Sequence, residues 1–509
     1  MFNRVGNAPR VLRDASKKDL RLERSLTALK GTKIKLSVHL RSQQLARSKM
    51  MTRRLYAHVI LLFLSCNFLG RPVHGDELDL RAIRKTLSKL AERELKKGVA
   101  SISIALVKDG KVVLKAAWGH ANVWSKSPAT PDSIYCTGST FKAVTATALL
   151  QLAEQGKLSL DDPANKHLGK HRLVADKDNK VTVRQLLDHT SGLTPGAATK
   201  DIWSRKLPTQ LKEIPAKLKL VAKPGAKWAY NNHAYAVAGL LIEQVSGQSF
   251  EDYVLENVLR PLGVKTKGPV HPTPAMVERM ALPYVPGPNR KPQAVPFLHY
   301  DVYPAGDIYL TAEDMARFLA AHLNDGKFNG RRILSSKSVK ESHVPNKRNY
   351  ALGWSVTRKA GQTTISHDGG VPGYRTAMVG NVDAKVGAYV MSNAGTMSSL
   401  ANAAVTLLSG KKLVAPKDRK SVKLPRKILK AYVGRYQLGP KILSIRLKDG
   451  QLSAQLTGQR SLAVYAEAKD RLFAKVVDAQ FTIKRNKDGK VTSLVLHQNG
   501  RDMAAKKVK

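Results

Sequence analysis

Strand-forming sequence lies at both ends of the stretch 101–392, and helix-forming sequence fills its middle; that order constrains the fold more than any other feature. At the start, 101–108 and 111–118 are rich in β-formers and flank Asp109-Gly110. This dipeptide tolerates the positive φ that a two-residue hairpin turn needs. At the far end, 351–357, 363–367, 374–379 and 387–392 carry strand signals again. Between them, helical periodicity is clearest in 183–189, 234–245, 250–259 and 312–323, with breaks at Pro and Gly. Leu80, Ile83, Leu87, Leu90 and Leu95 fall roughly at helical spacing before the hairpin, and 139–155 and 397–408 read as further helices. The expected class is therefore α/β: a sheet built from both ends of the segment, flanked by helices, with the inserted helices forming an all-α lobe. A cleft between two such lobes is a favoured place for a ligand.

Outside this segment the pattern changes. Residues 411–427 are rich in Lys and Pro without periodicity, which predicts a linker. From 428 to 509 short β-runs recur at close spacing, among them 443–447, 452–456, 472–476, 481–483 and 491–497. A small all-β domain, a barrel or curved sheet, is expected there. At the other end, 1–49 is a basic extension without sustained periodicity. Met50-Met51-Thr52-Arg53-Arg54, the apolar run 55–69 and Val73-His74-Gly75 then form the charged, apolar and small-residue regions of a signal peptide over 50–75. The run is too short for a comfortable membrane span. A secreted or periplasmic protein beginning near Asp76 is expected, with translation starting at Met50 or Met51 or, alternatively, with a real cytoplasmic extension. Cys66 as a lipid-anchor site is the rival reading, which Phe63-Leu64-Ser65 suits poorly. The main α/β segment is then 76–410.

The chain has 86 Lys+Arg against 38 Asp+Glu, a net charge of +48. Positions 1–75 hold 16 of the basic and three of the acidic residues, so about +35 remains in the rest. Such a balance favours polyanions of any kind. Aromatic content is only 6%, and no motif interleaves aromatic with basic residues. Nucleic acid is therefore not expected as a partner, and a solvated basic surface is the simpler reading. The two cysteines, Cys66 and Cys136, lie far apart and outside any CxxC pair, so no disulfide framework or zinc site is legible. No cofactor or metal is expected.

Three short motifs carry chemistry. In Ser139-Thr140-Phe141-Lys142 the serine and lysine are three apart, hence on one face of a helix. A serine hydroxyl is a weak nucleophile until a base takes its proton, and a buried lysine can be neutral enough to serve. The helix start adds free N–H groups beside the serine. Ser409 and Lys412 match the same spacing at a helix end, where chance explains them. Tyr230-Asn231-Asn232 offers a phenol for proton relay and an amide for a substrate carbonyl; alone, it also suits an ordinary turn. His367-Asp368-Gly369-Gly370 follows a predicted strand, and its glycines permit close backbone approach. The N–H of Gly370 can join that of Ser139 as an oxyanion hole. His167-Leu168-Gly169 matches this third pattern too, but lies between a helix and a polar loop.

Together the three occur in one order, about ninety and then about 135 residues apart. That arrangement resembles the serine β-lactamase and penicillin-binding protein superfamily, in its class C-like branch. Leu186-Leu187-Asp188-His189-Thr190-Ser191-Gly192-Leu193 is similar to a segment of the branch, as are Pro224-Gly225 leading to Trp228 and Tyr235, and Pro304-Ala305-Gly306 with Thr311-Ala312-Glu313-Asp314-Met315. Asp307 stands where the branch has a second glycine. Tyr432-Val433-Gly434-Arg435-Tyr436 looks like part of the small β-domain often appended to such proteins.

The resemblance implies a β-lactamase-like antiparallel sheet. It implies Ser139 as the acylated nucleophile, Lys142 and Tyr230 as the proton-handling pair, and Asn232, His367, Gly369 and Gly370 as substrate contacts. It treats Asp188-His189 as a structural turn, against the Ser-His-Asp triad their adjacency invites. Cys136 reads as packed. Efficient class C β-lactamases carry Lys-Thr-Gly at the third motif; here His367 would be a weaker, pH-dependent cation. That shifts the expectation from β-lactams towards esters, amides and D-amino-acid peptides, including cell-wall peptide. The alternative is a penicillin- or peptidoglycan-peptide-binding protein with little turnover.

Overall fold

A computed structural model describes residues 78–508, apart from 179, 195–202, 205–209, 267–271, 301, 414–418, 440, 458–460, 476–478 and 499–500. The expected basic extension 1–49 and signal peptide 50–75 lie outside the described residues. Helix α1 (Leu80–Leu95) is capped by Asp79, whose carboxylate accepts from the N–H groups of Arg81 and Ala82. Ile83, Leu87 and Ala91 form its buried stripe.

The central sheet unites the two ends of the segment as the strand signals required. Its strands are β1 (Ser101–Lys108), β2 (Lys111–Asn122), β3 (Ser127–Pro128), β4 (Ser355–Lys359), β5 (Gln362–Val371), β6 (Tyr374–Asn381) and β7 (Val386–Ser392). They lie in the order β4-β5-β6-β7-β1-β2-β3. β1 pairs antiparallel with β7, with Ile102 opposite Ser392. Both faces are covered, so β1 is buried along nearly all its length. Ile102, Ile104 and Leu106 face a core shared with α1 and helix α5 (Ser398–Leu408), while Ala105 and Val107 face the larger core on the other side. Each buried aliphatic side chain contributes roughly 1.5–3 kcal/mol.

That larger core holds α2 (Lys142–Glu154), α3 (Asn232–Ser246) and α4 (Ala312–Leu323). α4 starts with a reciprocal capping box between Thr311 and Asp314. The middle of the chain is less regular than its periodicity predicts. The helix expected at 183–189 is Val183–Leu187, and the one at 250–259 gives way to a π-turn at Leu255. Among the described residues between 260 and 308, prolines and glycines break the chain into single turns and strands of two or three residues.

The predicted linker ends in a helix, α6 (Arg426–Tyr432). Beyond it, eight strands from β8 (Gly434–Leu438) to β15 (Arg501–Val508) close into a barrel, with Tyr436 on the first strand opposite Lys507 on the last. Its core, built around Tyr432, Tyr436, Leu443, Ile445 and Leu494, is separate from the other two. No helix among the described residues is long and apolar enough to cross a membrane.

Candidate active site

Ser139 lies in a single 3-10 turn, Gly138–Phe141, that runs directly into α2 at Lys142. The helix predicted to open at Ser139 therefore begins with a tighter turn. Gly138 has φ +54°, and a Cβ placed on Gly306 would stand 2.3 Å from the carbonyl carbon and oxygen of Gly138. Thr137 ties the turn to its surroundings: its hydroxyl donates to the Ile308 carbonyl at 3.0 Å, and its own carbonyl accepts from Thr376 at 2.7 Å.

Lys142 Nζ lies 3.1 Å from Ser139 Oγ and donates to the Ala305 carbonyl at 2.8 Å. The side chain is fully buried, and burial holds its ammonium well below the usual lysine range. No carboxylate among the described residues pairs with it. A lysine in this state favours its neutral form and can accept a proton from the neighbouring hydroxyl. The Tyr230 ring lies 4.9 Å from Nζ. Its hydroxyl bonds with Ser139, which works against the larger upward push of burial on the phenol.

Tyr230 is held from behind. Asn231 caps α3 by accepting from the Ala234 N–H at 3.1 Å, and its amide donates to the carbonyls of Leu193 and Thr194. The N–H of Asn231 donates to Nδ1 of His189 at 3.2 Å. The buried His189 ring packs against Tyr230 with centroids 4.3 Å apart, and burial holds it uncharged, well below the usual histidine range. Asp188 does not pair with it: its carboxylate accepts from Thr190 at 2.6 Å and Asn346 at 2.8 Å. The Asp188-His189 dipeptide is a turn with His189 at φ +64°, and no Ser-His-Asp triad forms.

β5 runs on through the third motif, so His367 to Gly370 lie inside a strand. His367 Nδ1 is 2.8 Å from the Asp368 carbonyl and Nε2 is 2.9 Å from the Tyr350 hydroxyl. A carbonyl can only accept, so the proton sits on Nδ1 and Nε2 accepts from Tyr350. Burial, with the charge on Lys142 second, holds the ring down to about 3. The expectation of a pH-dependent cation is thus corrected: His367 is a neutral ring with both nitrogens engaged.

Gly369 and Gly370 lie against the Ser139 turn. A Cβ on Gly369 would stand 2.5 Å from the Thr137 carbonyl and 3.2 Å from the Ser139 nitrogen. One on Gly138 would stand 2.8 Å from the Gly370 nitrogen. Only glycine permits this approach, and it sets the two backbone nitrogens on neighbouring segments. Asn232 occupies the first position of α3, two residues from Tyr230.

Asp307 stands where the resembling branch has a second glycine. It is buried with its carboxylate 3.5 Å from Nδ1 of His299, and Ala305 still reaches Lys142. Cys136 beneath it donates to the Gly306 carbonyl at 3.3 Å; burial and then Asp307 push the thiol up, so it is packed and inert.

A family model described as Beta-lactamase matches residues 83–410. This chain belongs to the β-lactamase family. A second model, a domain of unknown function (DUF3471), matches 418–507. Among curated relatives, the family member is 27% identical over 317 residues to Protein flp of Staphylococcus aureus (strain N315), covering 61% of this chain and 63% of that one. It thus spans less than two thirds of that relative's length. Among solved structures, it is similar to an octameric penicillin-binding protein homologue from Pyrococcus abyssi, at 26% identity and a TM-score of 0.60, over 84% of this chain and 100% of that one. A D-amino acid amidase from Ochrobactrum anthropi SV3 shares the fold at 24% identity and a TM-score of 0.55, over 64% and 97%.

Two site elements gave no usable signal in this β-lactamase-family sequence. The Ala305 carbonyl is a backbone group and leaves no trace in residue type. Tyr350 sits in an irregular loop after a 3-10 turn, outside any motif.

Proposed function

We propose that this member of the β-lactamase family is a serine hydrolase that works through an acyl-enzyme on Ser139. The observation that carries the reading is the 3.1 Å approach of a fully buried lysine, without a carboxylate partner, to the Ser139 hydroxyl. In the proposed sequence Lys142 takes the hydroxyl proton as Ser139 attacks the substrate carbonyl. The N–H groups of Ser139 and Gly370 hold the developing oxyanion. Tyr230, bonded to Ser139, passes the proton to the leaving group. Asn232 contacts the substrate and the His367–Gly369 strand orients it. Water then attacks the ester, and the same groups run the steps in reverse.

The neutral His367 favours uncharged esters and amides, small or part of D-amino-acid peptides, over substrates that need a fixed cation. A signal peptide at 50–75 would deliver the enzyme outside the cytoplasm, where cell-wall peptide is one accessible substrate. The reading is tested with p-nitrophenyl esters, D-alanyl peptides and nitrocefin on the chain from Asp76. Turnover of esters or D-peptides with much slower nitrocefin hydrolysis is expected. Stoichiometric binding of a wall peptide with no product released would instead make it a binding protein.

A further inference from the structure

We infer that Tyr350 is a specificity-determining residue: by donating to Nε2 of His367 it extends into acid the range over which that buried ring stays uncharged, and so keeps the site selecting, there too, substrates without an anionic group beside the leaving group. The inference rests on the proposed hydrolase reading and names the substrate class for that site.

The geometry fixes the direction of both bonds. Nδ1–H is committed to the Asp368 carbonyl at 2.8 Å, so the one position where His367 could take a second proton is Nε2. The Tyr350 hydroxyl, 2.9 Å away, occupies that position as a donor. Tyr350 is itself buried, wedged between His189, with centroids 4.7 Å apart, and Trp228 at 6.0 Å. A donor held in place by packing stabilises the bare nitrogen and opposes its protonation.

The groups around His367 add no competing anion. Lys142 faces it from α2, His189 from its turn and Tyr230 from the segment before α3. The side chain of Asp368, next along the strand, accepts from Ser398 at 2.8 Å. Met378 stands opposite on β6. Arg348 is the rival cation: it is exposed and lies 5.3 Å from the centre of the Trp228 ring.

The test uses two phenyl acetates, one with a para-sulfonate, which stays ionised in acid, and one with the uncharged para-sulfonamide. The quantity read is the ratio of kcat/KM for the anionic over the neutral ester, from pH 4 to pH 8, in the wild type, Tyr350→Phe and Arg348→Ala. Taking the ratio cancels the common pH dependence of Lys142. The wild-type ratio should be flat. In Tyr350→Phe it should rise about fivefold above the wild type at pH 4 and return to the wild-type value at pH 8, as expected when a hydrogen bond worth about one pKa unit is lost.

A ratio in Tyr350→Phe that tracks the wild type at every pH would overturn the inference. So would a rise that is equal at pH 4 and pH 8, or one abolished by also removing Arg348. NMR titration of the His367 ring in Ser139→Ala gives a readout independent of turnover: its midpoint should move up when Tyr350→Phe is added, and an unmoved midpoint contradicts the proposal. If the wild type fails to hydrolyse either ester, the hydrolase reading fails, and the ring titration still decides the role of Tyr350.

Discussion

Lys142 is the residue on which the chemistry turns, and its burial has a consequence for stability. Its folded-state pKa lies well below the ordinary value. Between that lowered value and about 10.4 the unfolded chain holds a proton that the folded chain lacks, so folding stability rises with pH across this window. Lys142→Met removes the titration. The stability of the wild type relative to this variant should therefore climb from pH 7 towards pH 10, by at most about 1.4 kcal/mol per pH unit. Denaturant melts at several pH values check this, and parallel curves would contradict it. The variant should also lose activity by at least about 10²-fold. As candidates, Ser139, Lys142, Tyr230 and His367 stood out in the sequence because three motifs, each weak alone, occur in the order that the resembling superfamily shows. The charge state of His367 was not legible, because it depends on burial of the ring, with the charge on Lys142 second, and only tertiary packing delivers these.

At the scale of elements, the Pro304-Ala305-Gly306-Asp307 turn supports the nucleophile. Gly306 has φ +146° and touches Gly138, while the neighbouring carbonyl holds Lys142. Gly306→Ala must push the Ser139 turn outward. It should cost about 1–3 kcal/mol of stability. It should also lower kcat/KM about 10²-fold, because an ångström of misplacement spoils attack geometry. Near-native kinetics in a folded Gly306→Ala protein would show that the turn is not supporting. The sheet was readable because alternating β-formers and Asp109-Gly110 act locally. The strand expected at 351–357 formed instead at Ser355–Lys359, since Tyr350 to Trp354 are drawn into the core as an irregular loop.

Over the whole molecule, the order of strand and helix signals gave the α/β class, and the C-terminal β-runs gave an all-β domain. The expected barrel or curved sheet is a closed barrel of eight strands; closure itself depends on pairing the first strand with the last, Tyr436 with Lys507. The charge is unevenly spread: 411–509 holds 25 basic and seven acidic residues, while 76–410 holds 45 and 28. The candidate site draws on segments from Gly138 to Gly370, and the proposed function has it activate one hydroxyl of the many the chain carries. Intact-mass analysis of the full chain after brief exposure to a fluorophosphonate tests this most directly. One adduct per chain, mapping to Ser139 and absent from Ser139→Ala, is the predicted result. An adduct at another residue, or one that forms unchanged in Ser139→Ala, would contradict it.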